Sequence, residues 1–144
     1  WPDGSPAALG PHAGLRLGAS AIAGRGVFAR EAVPQGSLVE VAPVLLLRKD
    51  DVAAGSEGLR YFFQAPEGDA LLCVLGFGML YNHASGPRAN LRYEVRRAPG
   101  LSGEAPDAGV CVAFEAAKDL AEGEELLIDY SEAWWRQKGL QPQD

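Results

Sequence analysis

The sequence predicts a mainly β domain of several small sheets, and three features carry that prediction. Its apolar runs are short and strand-like, as in Leu38-Val39-Glu40-Val41, and some alternate with polar residues, as from Asn90 to Arg96. Turn residues fall between the runs, at Gly24 to Gly26, Pro34 to Gly36, Ser85-Gly86-Pro87 and Glu122-Gly123-Glu124. Helical stretches are few and short, so the regular strand–helix alternation of a doubly wound sheet is missing.

Residues 1–14 form an irregular lead-in, with prolines at 2, 6 and 11. Leu15-Arg16-Leu17 alternates like a short strand. Gly24-Arg25-Gly26-Val27-Phe28-Ala29 fits the dinucleotide fingerprint G-x-G-x-x-G/A, which needs a helix to open at the glycines. Pro34 and Gly36 follow too soon for such a helix, so the glycines make a turn of close backbone approach, and Val27 to Ala29 make a strand. Leu38 to Val41 and Val44 to Leu47 read as two strands split by Pro43. Lys49 to Ala54 and Glu57 to Phe63 allow one helical turn each, and Leu71 to Leu75 reads as a buried strand. Asn90 to Arg96 and Val110 to Phe114 are strands joined by an exposed loop, Ala98 to Gly109, rich in Gly and Pro. A strand from Leu126 to Asp129 precedes a last helix, Glu132 to Lys138, which Ser131 caps. Residues 137–144 form a tail. No repeat or linker divides the 144 residues, which suit one domain with a real core.

A net charge of −6 argues against a nucleic-acid-binding face, since phosphate binding needs clustered Lys and Arg. It suits a basic partner, or solubility alone. No apolar run approaches the roughly 20 residues of a membrane helix, so no membrane association is expected. The chain opens on Trp1, and the lack of a leader pattern carries no information. Cys73 and Cys111 have no C-x-x-C spacing and no nearby His, so they read as buried free thiols in a reducing compartment, and no metal site is expected.

The apolar run Ala70 to Tyr81 ends abruptly in Asn82-His83. Buried amide and imidazole groups need partners, so this pair either serves its own turn or holds something. Other residues carry the same ambiguity. Tyr130 reads as a core tyrosine or a site residue, Trp134 and Trp135 as a hydrophobic stopper, and Tyr61 as core. The acidic run Glu122, Glu124, Glu125, Asp129 and Glu132 reads as a solvated turn.

What separates the motif residues is their joint order. Gly24-Arg25-Gly26-Val27-Phe28 comes first, then Gly76-Phe77-Gly78-Met79-Leu80-Tyr81-Asn82-His83 with Asn90, then Gly123-Glu124-Glu125-Leu126-Leu127-Ile128-Asp129-Tyr130. This ordered triple resembles the SET domain of protein-lysine methyltransferases over about residues 15–136, and its short first insert resembles the minimal, viral-type histone lysine methyltransferases. The resemblance implies several small β-sheets and a C-terminal segment threaded beneath Asn82–His83 in a knot-like crossing. It implies S-adenosyl-L-methionine as cofactor on one face and a lysine channel on the other. Carried over residue by residue, it makes Tyr130 the catalytic tyrosine, itself beside the cofactor. Arg25 and Gly26 let backbone approach the cofactor's amino-acid end, Asn82 binds that end through its amide, and the His83 backbone meets the adenine edge. Trp134 or Trp135 stacks near the adenine, and Tyr61 and Ile128 belong to the lysine channel.

Three departures from the family pattern stand out. Ala84 replaces a usual serine. No cysteine-rich segment of the kind that often follows the domain occurs within these 144 residues, so Trp134 and Trp135 are expected to complete the pocket without zinc. Ile128 stands where many members have Phe or Tyr, which bears on the number of methyl groups added. The implied activity is methylation of a lysine in a basic protein or peptide, a histone tail first, by an intracellular protein that is nuclear if its substrate is a histone. A homodimer is compatible with the sequence. The alternative is a non-catalytic SET-like module that binds a basic peptide or scaffolds a complex.

Overall fold

The computed structural model describes residues 8–66, 68–98 and 108–141, the side chains of 137 and 138 excepted. Most of the expected Ala98–Gly109 loop, and parts of the lead-in and tail, lie outside the described residues. The chain divides into two compact units. One takes Trp1–Pro11, Glu40–Met79 and Glu94–Ala113, and the other takes His12–Val39, Leu80–Tyr93 and Phe114–Asp144.

The first unit is organised on β4 (Leu38–Arg48), which enters it at Glu40. With β1 (Gly10–Pro11), β5 (Phe63–Gln64), β6 (Ala70–Val74), β8 (Leu91–Arg97) and β9 (Val110–Ala116), it forms a six-stranded sheet of order β5-β6-β4-β9-β8, with β1 also on β4. Because β4 has neighbours on both edges, its burial runs unbroken from Val39 to Ala42 rather than alternating. Pro43 does not split this run, contrary to expectation. It falls between the residues paired with β1, Glu40 and Val41, and those paired with β6, Val44 to Arg48. A ladder changing partners tolerates a residue without an N–H, and the Pro43 carbonyl still accepts from the Leu75 N–H at 2.9 Å. The two expected helical turns are 3-10 turns at Lys49–Asp51 and Glu57–Arg60. Val41, Ala98 and Cys111 pack together in the core. Cys73 and Cys111 are free thiols, and burial pushes both up from the ordinary cysteine range.

In the second unit, β2 (Leu15–Ala19) and β3 (Arg25–Ala29) form a hairpin from Leu15↔Ala29 to Ala19↔Arg25. The full order is β2-β3-β10-β7, with β10 (Glu125–Ile128) between β3 and β7 (Asn82–His83). β10 runs antiparallel to β3 and parallel to β7. Val27, Ala29, Leu126 and Ile128 bury their side chains here, and the rings of Tyr81 and Phe114 meet at 4.7 Å. β10 ends at Ile128, Tyr130 follows in helical backbone geometry, and α1 (Ser131–Lys138) begins after it. Gly139 stops the helix at φ +65°, donating to the Arg136 carbonyl, while Leu140 reaches back to Trp135. The architecture is the mainly β one that the alternating runs and frequent turns predict.

Candidate active site

A parallel pairing between β7 and β10 sets the site. Leu127 lies opposite Asn82 and Ile128 opposite His83, and the Ala84 N–H donates to the Ile128 carbonyl at 3.1 Å. The far end of this loop is tied down by Asn90, which is 2% exposed. Its backbone N–H donates to the Leu127 carbonyl at 3.0 Å, and its Oδ1 accepts the Leu127 N–H at 2.7 Å. Its Nδ2 donates to the Glu125 carbonyl at 2.8 Å and to Glu124 Oε1 at 3.0 Å. A primary amide carries both donor and acceptor, so the Asn90 side chain stands in for a neighbouring strand's peptide group. Asp129 adds a further tie, taking the Gly86 N–H at 3.0 Å and the Ser131 N–H at 2.8 Å. Residues 82–90 thus grip the C-terminal segment from its start to its end, which is the threaded crossing.

Asn82 sits where β7 meets the hairpin. Its Nδ2 lies 2.9 Å from the Arg25 carbonyl, 3.2 Å from the Ala23 carbonyl and 2.8 Å from Glu125 Oε1. Gly26 is buried beside them. A Cβ there would collide with Glu125 Oε1, and would stand 2.7 Å from its Cδ and 3.3 Å from Asn82 Nδ2. Arg25 contributes its carbonyl, while its side chain is exposed.

Tyr130 sits one strand-end away. Its hydroxyl donates to the Tyr81 carbonyl at 2.8 Å, and its backbone N–H donates to His83 Nδ1 at 3.1 Å. A ring nitrogen that accepts carries no proton, so in the neutral ring the proton is on Nε2, 3.0 Å from Ser85 Oγ. Aromatic rings close over this point. His83 lies 5.1 Å from Tyr130 and 4.9 Å, edge-on, from Trp135. Trp134 lies 4.7 Å from both Tyr130 and Trp135. Trp135 is 8% exposed, and its buried Nε1 has no acceptor among the described residues. Ser131, where the helix leaves, has φ +72°, a left-handed conformation uncommon for a residue with a Cβ. Its Oγ takes the Trp134 N–H at a long 3.5 Å, a weak form of the expected cap.

Two groups of the expected site residues therefore come together along β7 and β10: Arg25, Gly26 and Asn82 in one, and His83, Tyr130, Trp134 and Trp135 in the other. Ile128 is 1% exposed, within the same unit. Tyr61 belongs to the other unit, is 52% exposed, and follows the Glu57–Arg60 turn. Sequence reasoning passed over Ser20, Glu124 and Glu125. The solvated-turn reading fails for the two glutamates, because they bind the side-chain amides of Asn90 and Asn82. The signal available was their place in the third motif, Glu124 just before β10 and Glu125 as its first residue.

The fold and the site together define a small β domain in which a crossing of β7 and β10 sets the Asn82–His83 pair beside Tyr130. Residues 24–131 match the SET domain, and the chain belongs to the SET-domain family. It is 26% identical over 115 residues to the histone-lysine N-methyltransferase, H3 lysine-37 specific, of Schizosaccharomyces pombe, which covers 78% of this chain and 69% of that protein. Its fold is similar to the crystal structure of a Plasmodium falciparum protein assigned as a histone methyltransferase, with TM-score 0.68 and 23% identity over 86% of this chain and 98% of that one. It is also similar to KRYPTONITE in complex with mCHH DNA, H3(1-15) peptide and SAH, with TM-score 0.61 and 24% identity. That match covers 85% of this chain but only 24% of KRYPTONITE.

Proposed function

We propose that this chain transfers a methyl group from S-adenosylmethionine to the side-chain amine of a protein lysine, with a histone tail as the favoured substrate, and that residues 15–136 form the catalytic module. The observation that carries this reading is the Tyr130 hydroxyl on the Tyr81 carbonyl at 2.8 Å, inside the aromatic cluster of His83, Trp134 and Trp135. The S. pombe relative, named as a histone-lysine methyltransferase, supports the reaction class and the histone.

The chain's own residues fit the cofactor. The Nε1 of Trp135 is buried without an acceptor, which suits a ligand that brings ring nitrogens. Asn82 has both amide hydrogens turned inward and its oxygen left for the cofactor's amino-acid end. Backbone at Arg25, Gly26 and His83 would lie along that cofactor, and Trp134 or Trp135 would stack on its adenine. When bound, the cofactor supplies an electrophilic methyl group on a sulfonium.

The protein then has three tasks. It must receive, in its neutral form, a lysine amine whose ordinary pKa is about 10.4, the proton leaving to solvent, which an apolar channel favours by disfavouring the charged form. Ile128 is proposed to line that channel. Tyr130 must orient the amine. Its hydroxyl proton is committed to Tyr81, so the phenol oxygen faces other groups as an acceptor, suited to an amine hydrogen or an electron-poor methyl. Most of the remaining barrier is positioning and electrostatics. The third task is recruitment, for which a net charge of −6 suits a basic tail.

The test is mass spectrometry of histones incubated with the protein and S-adenosylmethionine. Methyl groups on a lysine are expected. No methylation, together with no S-adenosylmethionine binding by calorimetry, would leave a non-catalytic module for a basic peptide.

A further inference from the structure

The Asn82 amide is surrounded at its nitrogen end by three oxygens: the Ala23 carbonyl, the Arg25 carbonyl and Glu125 Oε1. None of the three can donate when the carboxyl is ionised. A flipped amide would set Oδ1 against all of them, so the nitrogen must face inward and Oδ1 outward. Two of the oxygens belong to neutral carbonyls. The third is a carboxylate, which makes the shortest contact and the stronger, charge-assisted bond.

Glu125 is itself tied in place. Its Oε2 accepts the Ser20 hydroxyl at 2.9 Å. Ser20 Oγ in turn accepts the N–H of Ile22 at 2.9 Å and of Ala23 at 3.3 Å. The loop that offers the Ala23 carbonyl is thus fastened to the same carboxylate. The space this carboxylate fills exists because residue 26 is glycine, since a Cβ there would strike it.

We propose that Glu125 is a positioning residue: by holding the Asn82 amide, it aims Asn82 Oδ1 at the ammonium of the cofactor's amino-acid end. The ligand half of this inference rests on the methyltransferase reading above. The choice of ammonium follows from chemistry. Both amide hydrogens are committed, so Asn82 can offer only an acceptor, and the ammonium is the donor at that end.

Two measurements decide it. The first uses cofactor-free protein and the side-chain NH2 resonances of Asn82, identified by their loss in Asn82→Asp. In wild type these hydrogens should exchange slowly with solvent. Glu125→Ala should speed their exchange about ten-fold, the scale of one lost hydrogen bond to a charged group, and Glu125→Gln, which keeps an acceptor oxygen, should speed it less. Unchanged exchange in both variants overturns the proposal, and the glutamine variant keeps the test valid if the alanine variant does not fold. The second is calorimetry with S-adenosylhomocysteine, which carries the same amino-acid end. Glu125→Ala should weaken binding roughly ten-fold, with glutamine restoring part of it. In an Asn82→Ala background, Glu125→Ala should cost nothing more. Additive losses would mean that Glu125 does not act through Asn82. A wild type that binds no S-adenosylhomocysteine refutes the methyltransferase reading and the ligand half together, while the exchange measurement still decides whether Glu125 holds Asn82.

Discussion

Replacing Asn90 by alanine removes three side-chain hydrogen bonds from a position that is 2% exposed. The Leu127 N–H loses its acceptor at 2.7 Å, and the Glu125 carbonyl loses its donor at 2.8 Å. Both are main-chain groups of β10, which has β3 along its other edge. Water therefore has poor access to repair them. An orphaned buried group of this kind costs roughly 1–3 kcal/mol. The Glu124 carboxylate is only half-buried and can rehydrate, so it adds little. Two orphaned groups give a loss of about 3–4 kcal/mol, against roughly 5–15 kcal/mol for a whole domain. With a urea slope of about 2 kcal/mol/M, the unfolding midpoint should fall by roughly 1.5–2 M, followed by tryptophan fluorescence at constant slope. Asn90→Asp keeps the acceptor but loses the donor and faces Glu124, so it should be no better than alanine. If both variants shift the midpoint by less than about 0.3 M, Asn90 does not complete the ladder of β10 and the reasoning is refuted.

Tyr130→Phe should fold and bind cofactor yet lose roughly two orders of magnitude in turnover, the scale for one positioned polar group at a reacting centre. Full activity on a validated substrate would remove Tyr130 from the mechanism. Isoleucine at 128 offers no hydrogen bond to compete for a methylated amine, so wild type should proceed beyond monomethyl-lysine, and Ile128→Tyr should shift products toward the monomethyl form. The substitution enters a site that is 1% exposed and should cost roughly 1–3 kcal/mol of stability. An unchanged product ratio in a time course would show that other residues set the methyl count. Apparent peptide affinity should weaken as salt rises through physiological strength, where the screening length is about 8 Å, while cofactor affinity holds. A Michaelis constant for peptide that stays flat would make the net charge a matter of solubility.

The strands were legible because short alternating runs between Gly and Pro turns have few other ways to fold, and the run from Val27 to Ala29 is typical. Pro43 misled because a sequence shows the missing N–H but not which neighbour the strand has at that point. The Asn82–His83 pair was legible as costly polar chemistry at the end of an apolar run. Its partners were not. Glu124 and Glu125 look like a hydrated turn because nothing local says which residues will meet them, and their amide partners lie 34 and 43 residues away. The Tyr81 carbonyl that receives the Tyr130 hydroxyl is a main-chain group, which every residue has and no motif marks. The unpartnered Trp135 Nε1 was hidden for a similar reason, since only packing reveals that an indole N–H has nowhere to go.

The parallel pairing of β7 with β10 also orders events in time. Domains are generally made from the N-terminus onward, so the 82–90 loop emerges before the strand that fills it. Until that strand arrives, Asn90 has no ladder to complete and the Asn82 amide lacks its carboxylate. The β2–β3 hairpin forms from near neighbours and can precede this step, whereas closing the loop on β10 joins segments far apart in sequence and is slow for that reason. A chain cut in the turn before β10 would keep local hairpins and lose Tyr130, Glu125 and the filling of the loop at one stroke. Synthesis of the segment from β10 through α1 is therefore also the step that brings the candidate site residues together, and a chain cut before it lacks Tyr130, Trp134 and Trp135.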